Sequence, residues 1–133
     1  MGGITDLSYL LKNLTPVISG EEYVFVSLSP HQVTSTLVDV ALAMFKEVEG
    51  ITLILEKDAA QQAGLEFDGA YKCITCKVHS SLDAVGMTAA MSAALTHAGI
   101  SANVVAAYYH DHIFVPSHHA KLAVESLLAL GKA

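Results

Sequence analysis

The sequence predicts an α+β protein made of two β-α-β-β-α units in tandem, with antiparallel sheets and helices on one face of each sheet. Two observations support this prediction. Residues 71–131 switch between strand-like and helix-like periodicity in the order β-α-β-β-α. Residues 23–64 repeat that order in a more divergent form, which indicates an internal duplication.

In the second unit, residues 71–78 carry alternating β-branched and aromatic side chains and predict a strand. Ser80 and Asp83 match a capping box, so a helix is predicted to start there. Its apolar positions recur at three and four residues, and Gly99 can end it in the left-handed conformation. The first crossover of the unit is therefore a single amphipathic helix.

A hairpin follows this helix. Apolar runs at 100–109 and 113–115 predict its two strands, with the polar residues His110, Asp111 and His112 at the tip. Pro116 ends the second strand, because proline lacks the N–H that a strand ladder needs. Ser117 can then cap a last helix that runs to Gly131.

The first unit repeats these elements after a short N-terminal helix with Leu7, Leu10, Leu11 and Leu14 on one face. A turn at Ser19-Gly20 precedes a strand over 23–28, and a short helix is expected between 31 and 39. Residues 40–47 fit either a helix or the first arm of a hairpin that closes onto 51–55. The symmetry with the second unit favours the hairpin, followed by a helix over 58–63.

Seven positions carry a resemblance to a known family: Val78, Gly86, Leu95, Gly99, Ile100, Asn103 and Val104. They match a pattern of apolar strand, Gly near the helix start, Leu-rich helix, and Gly-Ile before an Asn-containing strand. The stretch therefore resembles an ACT domain, a small ligand-sensing module with a ferredoxin-like fold. Val85 stands where that family usually has Pro, and His79 or Ser80 where it usually has Asp or Asn.

Two sequence segments resemble a bacterial branch of stand-alone tandem ACT proteins, which is related to arginine-sensor-type modules. These segments are H-S-S-L-D-A-V-G and Y-Y-H-D-H-I-F-V-P. The resemblance implies two ACT-like halves. Residues 1–66 are expected to hold the N-terminal helix and a divergent first half, and residues 67–133 the second ACT-like domain.

Charge and hydropathy limit the function classes. The chain has a net charge of -6 and no basic cluster, which argues against nucleic acid as a partner. No apolar run approaches the ~20 residues of a membrane span, and no targeting signal precedes Asp6, so we expect a cytoplasmic protein. Hydrophobic residues make up 53% of the chain, with a mean hydropathy of +0.47. That much apolar surface predicts a homodimer.

A ligand site is predicted in the second unit. A right-handed crossover brings the loop after the first strand, the start of the helix and the hairpin tip to one edge. Free helix N–H groups there favour a carboxylate, while Asp111 or Asp83 can meet an ammonium, so a small amino acid suits the place. With the ACT resemblance, which implies binding at a domain boundary, the candidate ligand-binding residues are His79, Ser80, Ser81, Leu82, Asp83, Val85, Gly86, Asn103, Val104, His110, Asp111 and His112.

Other interpretations stay open for the same residues. Ser80 and Asp83 can act only as a helix cap, and Asn103 can only satisfy backbone groups at a sheet edge. His79, His110 and His112 are enough ligands for zinc, which would make the protein a metal-dependent enzyme. A ligand-free dimerisation module is the third alternative. Because no nucleophile, phosphate-loop or zinc-protease motif is present, we expect no catalysis and no cofactor.

Cys73 and Cys76 form a C-x-x-C pair within the predicted strand 71–78. Residues three apart on a strand point to opposite faces, so these two sulfurs can neither bridge nor share a metal without local unfolding. We therefore expect two separate reduced thiols.

Overall fold

The computed structural model of the chain describes residues 6–78 and 84–132. Within these residues, short 3₁₀ turns precede two of the helices and follow one of the same two. The helices and strands are, in chain order, α1 (Leu7–Lys12), β1 (Pro16–Leu28), α2 (Ser35–Val40), β2 (Ala43–Lys46), β3 (Ile51–Glu56), α3 (Lys57–Gln62), β4 (Tyr71–Cys76), α4 (Met87–His97), β5 (Asn103–Ala106), β6 (Asp111–Pro116) and α5 (Ala120–Ala129).

The chain divides into two compact units. The first, here called the 21–71 unit, comprises Glu21–Tyr71. The second, called the 72–133 unit, contains the described residues up to Gly20 and those from Lys72 onward. The long strand β1 contributes its start to the 72–133 unit and its remainder to the 21–71 unit. The division into halves at 66/67 stays a prediction.

In the 21–71 unit the strand order is β2-β3-β1, with antiparallel pairing throughout. Every second residue of the β1 segment is buried, namely Val24, Val26 and Leu28. These side chains pack with Leu53 and Leu55 of β3 and with the short helices α2 and α3. One face of the sheet is thus covered by helices, as period-two alternation requires.

In the 72–133 unit the strand order is β1-β4-β6-β5. Just before β1 and just after β4, the Lys77 N–H donates to the Thr15 carbonyl over 2.9 Å. Further along β1, Ser19 Oγ accepts a hydrogen bond of 3.0 Å from the Cys73 N–H of β4. The helix-covered face carries one core cluster, which is drawn from β4 and β6 and from the helices α1, α4 and α5: Leu10, Leu14, Ile74, Cys76, Val78, Met87, Met91, Leu95, Ile100, Ile113, Val115, Ala120, Ala123 and Leu127.

The predicted fold class is confirmed: the protein is α+β with antiparallel pairing and a helical layer in each unit. The order of elements also follows the prediction, and within the ambiguous segment 40–47 residues Ala43–Lys46 form β2 of a hairpin. Both cysteines are free and buried, as expected. Within the described part of the chain, no helix is long and apolar enough to span a bilayer.

The turn predicted at Ser19-Gly20 is wrong, because β1 runs through it from Pro16 to Leu28. The Ser19 hydroxyl accepts the bond from Cys73 that a backbone carbonyl would otherwise accept. The Lys72 ammonium donates to the Gly20 carbonyl over 2.9 Å. These side-chain bonds keep the segment extended despite its turn-like composition.

Two further predictions are corrected in the 72–133 unit. Helix α4 begins at Met87, seven residues after Ser80, because Gly86 takes a left-handed conformation and forms the N-cap. The hairpin turn is Ala107 to His110, closed by a bond from Ala107 N–H to the His110 carbonyl of 3.1 Å. Asp111 and His112 therefore belong to strand β6 rather than to the tip, since both pair with β5.

Replacing Leu10 by Ala tests whether α1 is part of the core. Leu10 is fully buried in the core cluster of the 72–133 unit. We expect Leu10→Ala to lower the free energy of unfolding by about 3 kcal/mol, the usual cost of an aliphatic cavity. Urea denaturation measures this change, with Ser8→Ala on the exposed side of the same helix as the control. Equal stabilities of the two variants would contradict the packing.

Candidate functional site

The start of helix α4 forms one side of the candidate site. Its N-cap is Gly86, with φ +95, and among residues 6–78 and 84–132 no side-chain bond to the cap is found. The first intrahelical bond runs from Ala90 N–H to the Gly86 carbonyl over 2.9 Å. The amides of the preceding turn, Met87 to Ala89, therefore have no acceptor within the helix and carry the positive end of its dipole.

Gly86 is required by backbone geometry and packing together. A Cβ built there would lie 3.1 Å from Leu7 Cδ2, and the left-handed conformation is strained for any L side chain. A substitution at Gly86 thus perturbs the contact with α1 as well as any ligand beside the helix. The variant Gly86→Leu would therefore change packing as well as binding, so it cannot test ligand binding by itself.

Asp111 opens strand β6 on the same face as the core residues Ile113 and Val115. Its side chain is only 8% exposed, and it is opposite Ala106 in the β5–β6 register. Burial raises the pKa of the Asp111 carboxyl, while His112 and His110 pull that pKa downward to a smaller extent. The carboxylate thus has a high desolvation cost when charged, which a cationic partner would offset.

Cys76 lies beside this carboxylate in the core. Burial raises the pKa of the Cys76 thiol to about 12, and the charges of Asp111 and Cys73 add to the effect. The thiol is therefore protonated and unreactive at neutral pH. It serves as a small apolar wall next to Asp111 rather than as a nucleophile.

His110 ends the hairpin turn immediately before Asp111. Its Nδ1 atom is buried and has no hydrogen-bond partner among the described residues. The preceding residues Tyr108 and Tyr109 stack edge to face, with ring centroids 4.9 Å apart. Both tyrosines are exposed, at 51% and 62%, although alternation along a continued strand would turn one of them toward the core.

His112 points to the other face of the sheet. Its Nδ1 lies 3.0 Å from Thr75 Oγ1 on the neighbouring strand. Burial lowers the pKa of His112, with His110 lowering it further and Asp111 raising it. Since Asp111 faces the helices and His112 faces away from them, these adjacent residues do not line one surface.

The remaining predicted residues divide between the edge strand and the loop before α4. The Asn103 amide donates to the Phe114 carbonyl over 3.3 Å, so it satisfies backbone at the edge of the sheet. Val104 packs against the core cluster, and Val85 is 83% exposed. His79, Ser80, Ser81, Leu82 and Asp83 lie outside the described residues.

No group of three His, Cys, Asp or Glu side chains that could hold a metal ion occurs within residues 6–78 and 84–132. His79, which the zinc hypothesis needs, is not among those residues. Sequence reasoning did not identify two contacts, Thr75–His112 and Leu7–Gly86. Both contacts join residues that are far apart in the chain, so no local sequence pattern predicts them.

Two family models described as ACT domains match this chain, one over residues 2–72 and the other over residues 69–129. A search of curated protein sequences finds no match. A solved protein of unknown function from Vibrio cholerae, described as a possible transport protein, is 43% identical, covers 98% of this chain and 99% of its own, and superposes with a TM-score of 0.84.

Two more distant structures share the fold. A protein from Agrobacterium tumefaciens is 19% identical, with a TM-score of 0.74 and 90% of both chains covered. The regulatory subunit of aspartate kinase from Thermus flavus is 11% identical, with a TM-score of 0.67, covering 89% of this chain and 98% of that one. Identities this low establish similarity of fold alone.

The raised pKa of Asp111 predicts how stability depends on pH. The folded state holds the Asp111 proton more tightly than the unfolded chain, so ionisation disfavours folding as pH rises from the unfolded value to the folded one. We expect Asp111→Asn to gain stability relative to the wild type over that interval and to keep the gain up to neutral pH. Urea denaturation between pH 3.5 and 7.5 measures the difference.

The control for this experiment is Asp68→Asn, since Asp68 is an exposed carboxylate in a loop. Its stability difference from the wild type should be small and flat with pH. A difference for Asp111→Asn that shrinks toward neutral pH would show that the carboxylate is not penalised by burial.

Proposed function

We propose that this chain, which belongs to the ACT domain family, is a non-catalytic regulatory protein that binds a small amino acid in its 72–133 unit and acts as a homodimer. The proposal depends above all on Asp111. A carboxylate that is 8% exposed on the core side of a strand is costly unless a positive group meets it.

The ammonium of an amino acid is the partner that we propose for Asp111. It would restore the charged form of the carboxylate and remove the desolvation cost described above. The neighbouring His110 has a buried Nδ1 without a partner among the described residues, which gives the same ligand a second polar contact. A zwitterion supplies both donor and acceptor groups within a few ångströms.

The carboxylate of the ligand is proposed to bind at the start of α4. The helix has 11 residues, no acidic residue in its first turn and, within the part of the chain that the structure describes, no side-chain cap. Its free N–H groups and dipole favour a negative group. The right-handed crossover from β4 through α4 to β5 places this helix start and the β5–β6 hairpin at one edge of the unit.

The regulatory role is proposed by analogy of fold. Regulatory subunits of aspartate kinase are among the structures that share this architecture. Their regulatory function is carried over to this chain only as part of the proposal, since their sequences are distant. The high apolar content of the chain supports the homodimer.

The proposal predicts that one or a few amino acids stabilise the protein. In a thermal-shift panel of the twenty amino acids at millimolar concentration, we expect a rise in Tm for the cognate ligand, because it binds only the folded state. Asp111→Asn should abolish that rise, and the loop variant Asp68→Asn should retain it. No stabilisation of the wild type by any amino acid would contradict the proposal, while stoichiometric zinc in the purified protein would favour a metal site instead.

Binding should also depend on pH with a definite sign. Protonated Asp111 cannot pair with an ammonium, and its pKa in the free protein is raised. The affinity for the amino acid should therefore fall as pH decreases through that pKa, and binding should release a proton. Isothermal titration calorimetry in two buffers of different ionisation enthalpy detects the proton. Affinity independent of pH between 4 and 7 would exclude Asp111 as the ammonium partner.

A further inference from the structure

The connection between α3 and β4 contains the single Asp-Gly pair of the chain, Asp68-Gly69. Residues 65–70 belong to no helix or strand, and both Asp68 and Gly69 are exposed. Within the described part of the chain, no hydrogen bond or ion pair involves the Asp68 carboxyl group or the Gly69 N–H. These two neighbouring groups are therefore available to react with each other.

Gly69 leaves the space around its backbone nitrogen open. Its φ is +65, and a Cβ built there would have only Tyr71 Oη near it, at 4.0 Å. Each of the other aspartates in the chain is followed by a residue that carries a side chain. Such a side chain hinders attack by its own backbone nitrogen on the preceding carboxyl group, whereas glycine does not.

We propose that Asp68 is a site of spontaneous covalent modification, at which aspartate converts to isoaspartate. The Gly69 nitrogen attacks Cγ of Asp68 and loses its proton, and one carboxyl oxygen leaves as water, which gives a five-membered succinimide. Water then adds to the ring. Cleavage of the bond from Cγ to nitrogen regenerates aspartate, and cleavage of the bond from the Asp68 main-chain carbon to nitrogen gives isoaspartate. No mass is gained or lost, because the water released first is taken up again.

Regular structure protects the other aspartates of the described chain. Ring closure requires the following nitrogen to approach Cγ, which a residue inside a helix or strand reaches only by breaking backbone hydrogen bonds. Asp39, Asp58 and Asp111 lie in α2, α3 and β6. The Asp6 side chain is held by a bond of 3.2 Å from the Tyr9 N–H. The expected modification is therefore confined to the α3–β4 connection.

Isoaspartate would lengthen a short connection that is anchored at both ends. The main chain then passes through Cβ and Cγ, which adds one methylene, or about 1.5 Å, to the backbone. Before the pair, Phe67 packs against the core of the 21–71 unit. After it, Tyr71 meets Phe25 edge to face, with ring centroids 5.4 Å apart. Because only residues 68–70 separate these anchors, the added methylene must displace one of them.

The modified residue also presents a new group to other enzymes. In isoaspartate the free carboxylate is attached to Cα instead of Cβ. Methyltransferases that repair isoaspartate transfer a methyl group from S-adenosylmethionine to this carboxylate and leave S-adenosylhomocysteine. Attack by the Gly69 nitrogen on the ester then releases methanol and forms the succinimide again. The exposed connection is thus a substrate segment for that class of methyltransferase.

Ageing the protein for several weeks at mildly acidic pH and physiological temperature tests the modification. Cleavage after lysine releases residues 58–72 as one peptide, which contains both Asp58 and Asp68. We expect electron-transfer fragmentation to identify isoaspartate at Asp68, with Asp58 of α3 unmodified as the internal control. Fresh protein digested in parallel gives the background. No isoaspartate at Asp68 above this background, or equal amounts at both positions, would overturn the proposal.

The free peptide 58–72 tests whether the fold leaves the pair open. Exposed connections open at little cost in free energy, so the folded protein should form isoaspartate at a rate within about tenfold of the peptide. A larger difference, with the peptide faster, would show that the fold protects Asp68 and would refute the structural argument.

Asp68→Glu is the matched variant, since its longer side chain would have to close a six-membered ring, which forms far less readily. Aged wild-type protein should have a lower urea midpoint than fresh protein, and aged Asp68→Glu should keep its midpoint. Labelled S-adenosylmethionine with an isoaspartyl methyltransferase should label the aged wild type alone. An unchanged midpoint in protein that contains isoaspartate would contradict the displacement of the anchors, and absence of label would contradict the substrate assignment.

Asp68→Asn provides the positive control, because ammonia leaves more readily than water when the same succinimide forms. It should accumulate isoaspartate faster than the wild type under the same conditions. The denaturation and thermal-shift controls described above therefore require freshly purified Asp68→Asn. A slower rate for Asp68→Asn than for the wild type would contradict the succinimide route.

Discussion

The arrangement of the 72–133 unit depends on the two-residue alternation of strand β6 beneath a helical layer. Ile113 and Val115 must face the helices to fill the core, and that requirement turns Asp111 to the same side. An acidic residue is thereby placed at the first position of the strand, directly after the turn, where it is 8% exposed. His112, one residue away, is turned to the opposite face and bonds with Thr75.

The start of α4 is fixed by a second constraint, the close approach of α1. Leu7 occupies the space that a side chain at position 86 would need, and Gly86 takes φ +95 as the N-cap. Because glycine has no side-chain oxygen, residue 86 itself does not cap the first amides of the helix. The same residue that permits tight packing of α1 therefore also leaves an electropositive helix end facing the loop side of the unit.

The sequence was sufficient for the order of elements and the fold class, because apolar periodicity over whole helices and strands is a cumulative signal. It failed at positions decided by tertiary contacts. Polarity suggested a hairpin tip at His110 to His112, yet pairing of Asp111 with Ala106 extends the strand. A Ser–Asp spacing suggested a helix start at Ser80, while Gly86 and Leu7 set it at Met87. Asp111 and Gly86 were recognisable from the sequence, and backbone satisfaction by Asn103 was one of the open interpretations, but the role of His112 was not foreseen.

The duplication explains why one chain is expected to hold one such site. Strands β3 and β6 each have six residues, each follows a hairpin turn, and their three central positions are all buried. Aligned from the first residue, Ile51 of β3 corresponds to Asp111 of β6, and Thr52 corresponds to His112. The aliphatic side chain of Ile51 cannot pair with an ammonium group. The 21–71 unit therefore has the equivalent strand but lacks the carboxylate. The outer strands also differ: β2 exposes Met44 and Phe45, whereas β5 has no exposed large apolar side chain. The two copies of one fold thus differ, at equivalent positions, in the acidic residue on which the proposed ligand site depends.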